Sequence, residues 1–344
     1  MSIIDDRFRD VERTSPFNLS PFEEGKHAHS AAYDFQQWYQ AMEPVTFKTV
    51  QIPLSPDQGR AIIHAYKKLL NHEAIEIAHE EKINELKNNL AEVFKQFTAQ
   101  GISKFFLRFS SRSPKDAGFS EYYRARMVEI LQRLVYKYPQ KDYYSNLEGT
   151  LNSLFVDLWE PQTNEGEKKE RSTKAPGEYV YVPDAIHDDA LIANYQIHLF
   201  YEGLGDLLSV SNEHEAMDLF LNSERAFCDL QHDLRHIKND NWGMNVVIRE
   251  WDDHTNIQFE FRVFVCLGKV NAIAQYNPYC FYPGLFGREE EIKNRIVEHH
   301  QGIKDQIPYA TYVIDYLVVG EYVKVVELNP FVSKIYYYPF ALIY

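Results

Sequence analysis

The chain has 344 residues, of which 45% are hydrophobic and 15% aromatic, so it can bury the core of one large domain or two ordinary ones. Its 50 acidic and 36 basic residues give a formal net charge of -14, which opposes contact with phosphate backbones and excludes a general nucleic-acid-binding role. Cys228, Cys266 and Cys280 lack paired spacing, and neither a signal-like nor a membrane-spanning apolar run is present, so we predict a cytoplasmic protein without membrane contact.

The first third of the chain predicts helices and strands after a polar beginning. Segment 1–30 is polar and interrupted by prolines, which is typical of a flexible N-terminal arm. Apolar residues at spacings of three and four indicate helices, and alternation indicates strands. On this basis we predict a helix over 33–42, a strand over 46–52, helices over 57–70 and 73–99, and a strand over 104–109.

The remainder of the chain predicts a similar mixture, and its many aromatic residues favour an α+β architecture. The charged segment 160–178 is almost without apolar residues, which indicates a mobile surface loop. The predicted elements are helices over 122–138, 216–237 and 289–300, a meander of strands over 244–251, 258–267 and 270–276, and a C-terminal hairpin of strands over 309–319 and 322–328.

The C-terminal hairpin contains candidate metal ligands. Asp315 lies inside one apolar strand, and Glu327 and Asn329 lie two apart in its partner, which places the latter two on one face of the sheet. A carboxylate in an apolar strand is costly to bury unless it is paired or bound to a cation, and oxygen donors suit Mg²⁺ shared with substrate phosphates. The alternative is that these are solvated positions on the open face of an antiparallel sheet.

A second candidate site is the segment LRFSSRSPKDAG, which runs from a strand into a polar loop. Arg108 lies in the strand, and Ser110, Ser111, Arg112 and Lys115 follow in the loop. Hydroxyls, backbone N–H groups and cations in a short flexible run can enclose phosphates, although the glycines of the known phosphate-binding motifs are absent. The alternative is a solvated basic turn.

Isolated cations also occur on two apolar strands, Arg249 in VVIREW and Arg262 in FEFRVFV. They either reach a bound phosphate or form structural ion pairs with Glu250 and Glu260. Among the histidines, His232 and His236 share a helical face, but no third ligand accompanies them, so we do not predict a zinc site there.

Taken in order, these segments resemble the signature segments of the cell division cycle protein 123 family. The resemblance covers nearly the whole chain but departs from the family at two places. Residues 121–200 stand where the eukaryotic proteins have a much shorter connection, and after the Asn-Pro step SKIYYYPFALIY replaces the family's acidic-hydrophobic tail ending in Trp. The matching segments are FQQWY with VTFKTVQIPL (35–54), LRFSSRSPKDA (107–117), LFLNSERAFCDL (219–230), VVIREW (246–251), FEFRVFV with IAQY (259–276), YVID (312–315) and VVELNPF (325–331).

The resemblance implies an ATP-grasp fold, in which ATP and Mg²⁺ bind between two α+β subdomains. Arg108 replaces the family's phosphate-binding lysine, and Glu327 replaces the aspartate of its metal-binding positions. The adenine is expected beside the backbone of residues 248–251. The predicted nucleotide contacts are Arg108, Ser110, Arg112, Lys115, Arg249, Trp251 and Arg262, and the predicted metal ligands are Asp315, Glu327 and Asn329.

The resemblance also implies a domain organisation and a partner. We predict an N-terminal subdomain over 31–120, an inserted helical and loop region over 121–200, and a C-terminal subdomain over 201–344 that carries the metal site. The eukaryotic family members are assembly chaperones for translation initiation factor 2 and bind its gamma subunit, so a protein client is expected. The alternative is an ATP-grasp enzyme, a ligase or a phosphoryl or nucleotidyl transferase, with an unidentified acceptor.

Overall fold

A computed structural model describes residues 32–137, 184–235, 242–253, 255–331 and 341–343. These residues form two antiparallel sheets and the helices that cover them, which confirms the predicted α+β class. None of the helices in this part of the chain combines the length and the apolar composition that crossing a membrane requires. The predicted arm over 1–30 and the predicted loop over 160–178 lie outside the described residues.

The first sheet has four strands in the order β1-β4-β2-β3. Alternate residues of its two central strands face opposite sides: Phe105, Leu107 and Ile248 pack in the core beneath the helices, whereas Val247 belongs to the core of the second sheet. Its strands are β1 (Thr49–Pro53), β2 (Phe105–Phe109), β3 (Ser209–Val210) and β4 (Asn245–Glu250).

The second sheet has five strands in the order β8-β7-β5-β6-β9. Its β5–β6 hairpin turns at Leu267 and Gly268, both with positive φ, as a tight two-residue hairpin turn requires. The strands are β5 (Glu260–Cys266), β6 (Lys269–Gln275), β7 (Tyr312–Val319), β8 (Tyr322–Pro330) and β9 (Ala341–Ile343).

Helices enclose both sheets. The second helix begins with a reciprocal capping box between Ser55 and Gln58, with Pro56 at its first position, as the sequence Ser-Pro-Asp-Gln favours. The helices are α1 (Phe35–Met42), α2 (Pro56–Leu70), α3 (Ile77–Thr98), α4 (Arg124–Lys137), α5 (Asp184–Leu207), α6 (Glu213–Leu221), α7 (Glu224–Arg235) and α8 (Glu289–Ile303).

Two predictions about these elements are wrong. The predicted meander is interrupted, because β4 pairs with β1 and β2 in the first sheet, whereas β5 and β6 pair in the second. The predicted helix over 216–237 is two helices, because α6 ends at Leu221 and α7 starts afresh behind Asn222 and Ser223. Ser223 Oγ accepts a hydrogen bond from the Ala226 N–H (3.0 Å), which caps the new helix.

The predicted subdomain boundaries remain predictions, but the two cores cut across them. Strand β4, from the predicted C-terminal subdomain, is a central strand of the first sheet. Helix α1, from the predicted N-terminal subdomain, contributes Phe35, Trp38 and Met42 to the core of the second sheet. The two sheets are therefore built from interleaved parts of the chain.

Candidate functional site

A cleft of about 650 Å³ lies between the two sheets. The first sheet lines it with Arg249 and with Glu250, Trp251 and Asp252 at and just after the end of β4, and the second sheet lines it with Glu260 and Arg262. Residues of the second sheet reach the cleft because β5 alternates: Phe261, Val263 and Val265 are buried in the core, and Glu260 and Arg262 face the other way. The cleft is the candidate site.

Arg262, which lines the cleft, holds Asp315 of the neighbouring strand β7 behind the lining. The two residues face each other across the β5–β7 pairing, and Arg262 Nε and Nη2 each donate to one Asp315 oxygen at 2.7 Å. Asp315 is fully buried, and Asn329 Nδ2 donates to its Oδ2 at 3.3 Å. Burial raises the pKa of Asp315, and the paired guanidinium opposes that rise.

Arg108 and Glu327 form a second ion pair that joins the two sheets. Arg108 Nη1 lies 2.7 Å from Glu327 Oε1, while its Nε and Nη2 donate to the carbonyls of Phe109 and Ser111. Arg108 is 4% exposed. Burial alone would raise the pKa of Glu327, but Arg108, Lys115 and Arg262 outweigh it and lower the pKa to about 2, so this carboxylate is ionised at neutral pH.

Arg249 joins the sheets through backbone carbonyls. Its Nη1 donates to the Val326 carbonyl at 2.8 Å and its Nη2 to Thr46 Oγ1 at 2.6 Å, and its guanidinium lies over the ring of Phe47. The alternative pairing of Arg249 with Glu250 does not form, because Glu250 accepts from the Lys48 N–H. Burial and the neighbouring Arg108 lower the pKa of Arg249 to about 9.

Lys115 brings a further cation to the cleft. Its Nζ donates to the Tyr276 hydroxyl at 2.8 Å, and Arg262 lies over the same ring, 4.9 Å from its centroid. Although burial acts to lower the pKa of Lys115, the nearby Tyr276, Glu260 and Glu327 raise it. Burial raises the pKa of Glu260 to about 7, so this carboxyl group titrates near neutral pH.

Two loop residues that were predicted to contact the nucleotide bind other parts of the protein. The buried hydroxyl of Ser110 accepts from the Asn245 N–H at 2.9 Å. Arg112 pairs with Asp229 of α7 through two contacts, one of them Nε to Oδ2 at 2.9 Å. Ser111 Oγ donates to the same carboxylate at 2.6 Å. The loop is therefore tied to α7, and neither Ser110 nor Arg112 lines the cleft. Of the other predicted site residues, Lys115, Arg249, Trp251 and Arg262 line it, and Arg108, Asp315, Glu327 and Asn329 do not.

One wall of the cleft comes from the C-terminal end of α5, at residues 201–206, just after the predicted insertion over 121–200. Its contribution is apolar and acidic, with Leu204 between Glu202 and Asp206. The ring of Tyr201 stacks on that of Tyr279, with the planes 2° from parallel. Among the described residues, those that line this wall belong to the predicted C-terminal subdomain, and none belongs to the predicted insertion over 121–200.

The residues present fit a magnesium-bound triphosphate in chemical type. Asp315, Glu327 and Asn329 offer the hard oxygen donors that Mg²⁺ prefers, and the register pairs Asp315 directly with Glu327. The cations face this group from both sheets, in a chain that is strongly acidic as a whole. They are Arg108, Lys115, Arg249 and Arg262. Counted against Asp315, Glu327 and Glu260, these four cations leave a local positive surplus that suits an anionic group at this point. Most of the other charged residues of the cleft lining are acidic, namely Glu202, Asp206, Glu250 and Asp252.

Sequence reasoning missed several members of this cluster. Tyr276, the shared contact of Lys115 and Arg262, carries no signal of its own in the sequence, and Glu260 was considered only as an ion-pair partner. Asp229 sits in an amphipathic helix, where an acidic residue is ordinary. Only the approach of the loop to α7 gives it a role.

Comparisons with known proteins agree on one relationship. Residues 205–341 match the sequence profile of the D123 family. The fold is similar to that of Cdc123 from Schizosaccharomyces pombe, with 14% identity and a TM-score of 0.51, covering 89% of this chain and 86% of that chain. The C-terminally truncated Cdc123 of the same organism gives 15% identity, a TM-score of 0.51 and the same coverage. No curated protein sequence matches the chain.

Proposed function

We propose that this chain, which the D123 match over residues 205–341 identifies as a member of the cell division cycle protein 123 family, binds ATP with Mg²⁺ between its two sheets. The proposal rests on one observation above all: Arg262 and Lys115, which line the cleft, act on a buried group of oxygen donors directly behind its lining, Asp315, Glu327 and Asn329. The likeness to Cdc123 shows a shared fold, and the ATP-grasp arrangement of the site is part of the proposal.

Each side chain has a definite part in this proposal. Lys115, Arg249 and Arg262 would bind and orient the phosphates, and Asp315, Glu327 and Asn329 would hold the metal, which screens the remaining triphosphate charge. Arg262 and Arg108 already hold carboxylates, so binding requires an exchange of partners. The arginines would turn to phosphate oxygens while the carboxylates turn to the cation, which keeps every buried charge compensated.

The test of ATP binding is calorimetry on the full chain with ATP and Mg²⁺ together and with each alone. We expect saturable binding that needs both. Lys115→Gln removes a cleft cation and Asp315→Asn removes a metal-ligand charge, and each should weaken binding at least about tenfold, or about 1.4 kcal/mol.

Lys82→Gln is the matched control, because Lys82 is an exposed cation of α3 that pairs only with Glu85 of its own helix. It should bind as tightly as the wild type. Absence of binding by folded wild-type protein, or equal binding by all four proteins, would refute the nucleotide site.

For the biological role, we favour an ATP-dependent assembly chaperone for a protein complex, as the family resemblance implies. In a eukaryotic host the client would be the gamma subunit of translation initiation factor 2. Nucleotide would then stabilise the client-binding conformation by mass action, with little turnover. Co-purification of the client in the presence of Mg-ATP, and its loss in Asp315→Asn, is the expected result.

A second candidate is an ATP-grasp ligase or transferase, and the α5 wall favours it. The Tyr201–Tyr279 stack and Leu204 give the cleft an aromatic and apolar side that a nucleotide alone does not need, while Glu202 and Asp206 of the same wall pair with Lys137 and Arg133 of α4. Such a surface fits an acceptor with an apolar or aromatic part. Release of ADP or AMP that depends on an added acceptor would decide for the enzyme and against the chaperone.

A further inference from the structure

Away from the cleft, the hairpin of α2 and α3 brings together two imidazoles and a carboxylate. His64 lies on α2, Glu76 is the N-cap of α3, and His79 lies in the first turn of α3. One ligand atom from each of the three lies within 4.8 Å of the others. We propose that His64, Glu76 and His79 bind a divalent transition-metal ion of the Zn²⁺ type.

The first argument is the state of His64. Its Nε2 is buried and has no hydrogen-bond partner, although a buried polar nitrogen without one is costly. The nearest carboxylate oxygen, Glu76 Oε1, lies at 3.7 Å, beyond hydrogen-bond distance. A metal ion between the two groups would satisfy both.

The second argument is the orientation of Glu76. Glu76 is the N-cap residue of α3, but its side chain makes no capping hydrogen bond to the first turn of the helix. It lies towards His64 of the neighbouring helix instead. The three-residue spacing of Glu76 and His79 puts both on one helical face, as in carboxylate–histidine metal sites of helical bundles.

The third argument is the contact between the two histidines. Their rings stack at 4.0 Å with planes 24° apart. The stacking holds the two imidazoles together across the helix pair, where one nitrogen of each ring and a Glu76 oxygen lie within 4.8 Å of one another. Glu80 and Glu81 follow in the same turn and add negative charge around the site.

The donor set indicates the ion. Two nitrogens and one carboxylate oxygen, with a fourth position left for water, suit Zn²⁺ and do not suit Mg²⁺ or Ca²⁺. Tetrahedral bonds of this kind place ligand atoms about 3.3 Å apart, so the side chains must close by rotation from their present separation of up to 4.8 Å. Glu76 is exposed and free to make that movement.

The test is a Zn²⁺ titration of the tag-free, chelator-treated full chain against a chromophoric competitor. We expect one tight equivalent. The double variant His64→Gln, His79→Gln should weaken Zn²⁺ binding by at least about 100-fold. Removing a residue that only hydrogen-bonds to a metal ligand weakens binding by about 100-fold at most, so a loss of this size or more indicates that the histidines bind the metal themselves. With Co²⁺ in place of Zn²⁺, the wild type should show the intense visible bands of a tetrahedral site.

His214→Gln is the matched control, because His214 is an exposed histidine 3.3 Å from a carboxylate, that of Glu213. It should bind Zn²⁺ as the wild type does. Glu76→Gln changes one exposed side chain and serves if the double variant fails to fold. The proposal would be overturned if the wild type bound Zn²⁺ no more tightly than a folded variant of His64, Glu76 or His79. It would also be overturned if His214→Gln lost binding.

Discussion

At the scale of single residues, the centre of this protein is a set of buried charges that compensate one another. Asp315 is held by Arg262, and Glu327 by Arg108. Such pairs add little net stability relative to apolar residues, but losing one partner leaves a buried charge uncompensated. Net stability therefore does not account for the presence of these pairs.

We predict that Glu327→Met lowers the free energy of unfolding by about 3 kcal/mol, because Arg108 keeps its charge at 4% exposure. Arg108→Met combined with Glu327→Met should cost much less than the two single changes together. Urea denaturation of the four proteins at pH 7 measures this coupling. Additive costs would show that the pair is not energetically linked.

Glu260 should make stability depend on pH. Its pKa is about 7 in the folded protein and 4.5 ordinarily, so the folded state holds the proton more tightly. The contribution of Glu260 to stability therefore falls as the pH rises from about 4.5 to 7, and is constant outside this window.

Glu260→Gln should remove that contribution. In urea denaturation between pH 5 and 8, the variant should lose less stability from pH 5 to 7 than the wild type does. Glu250→Gln, which changes another carboxylate of the cleft, serves as the control. Parallel pH profiles of Glu260→Gln and the wild type would contradict the assignment.

At the scale of elements, α5 is integrated into the fold. Its Leu204 and Leu207 belong to the buried core that the first sheet shares with its helices. Gly118, in the turn after the loop of residues 110–117, lies against the same two leucines, and a Cβ at Gly118 would come within 2.6 and 2.7 Å of their side chains. This close approach fixes the loop against α5.

We predict that Gly118→Ala destabilises the protein by about 1 to 3 kcal/mol through overpacking. Gly205→Ala is the matched control, because a Cβ at Gly205 meets nothing within 4 Å and the residue lies inside α5. That change should stabilise the protein by up to about 1 kcal/mol through helix propensity. Thermal and urea unfolding measure both, and equal effects would contradict the packing argument.

At the scale of the whole molecule, side chains of the first sheet hold the second. Arg108 reaches Glu327, and Arg249 reaches the carbonyls of Val325 and Val326, all on β8. The ring of Phe35 lies near both guanidinium groups, which ties α1 to the same junction. The relative placement of the sheets, and with it the cleft, depends on these few contacts.

We therefore predict that Arg249→Met loosens the junction as a whole. Loss of the donors leaves buried carbonyls without partners and should cost about 2 to 4 kcal/mol. Hydrogen exchange should increase in β4 and β8 together. An increase restricted to the neighbours of residue 249 in β4 would mean that the sheets are held by other contacts.

Much of the secondary structure of this protein can be predicted from local sequence. Alternation identified β2, β5, β7 and β8 to within a few residues, and helical spacing with Ser55 and Pro56 identified α2. These features depend on neighbouring residues and on which face of an element is apolar. Arg108, Arg249, Arg262 and Asp315 were singled out as candidates in the same way, because a charge in an apolar strand is conspicuous. Their assignment to a nucleotide site came from the family resemblance and stays a prediction.

Tertiary structure alone decided how these pieces combine. The assignment of β4 to the first sheet, the partners of Arg249 and Arg112, and the approach of Tyr276 to Lys115 all join residues far apart in the chain. Sequence periodicity shows which face of an element is buried, but not which element covers it. The histidines of the α2–α3 hairpin are the same case, since only the packing of two helices brings His64 to His79.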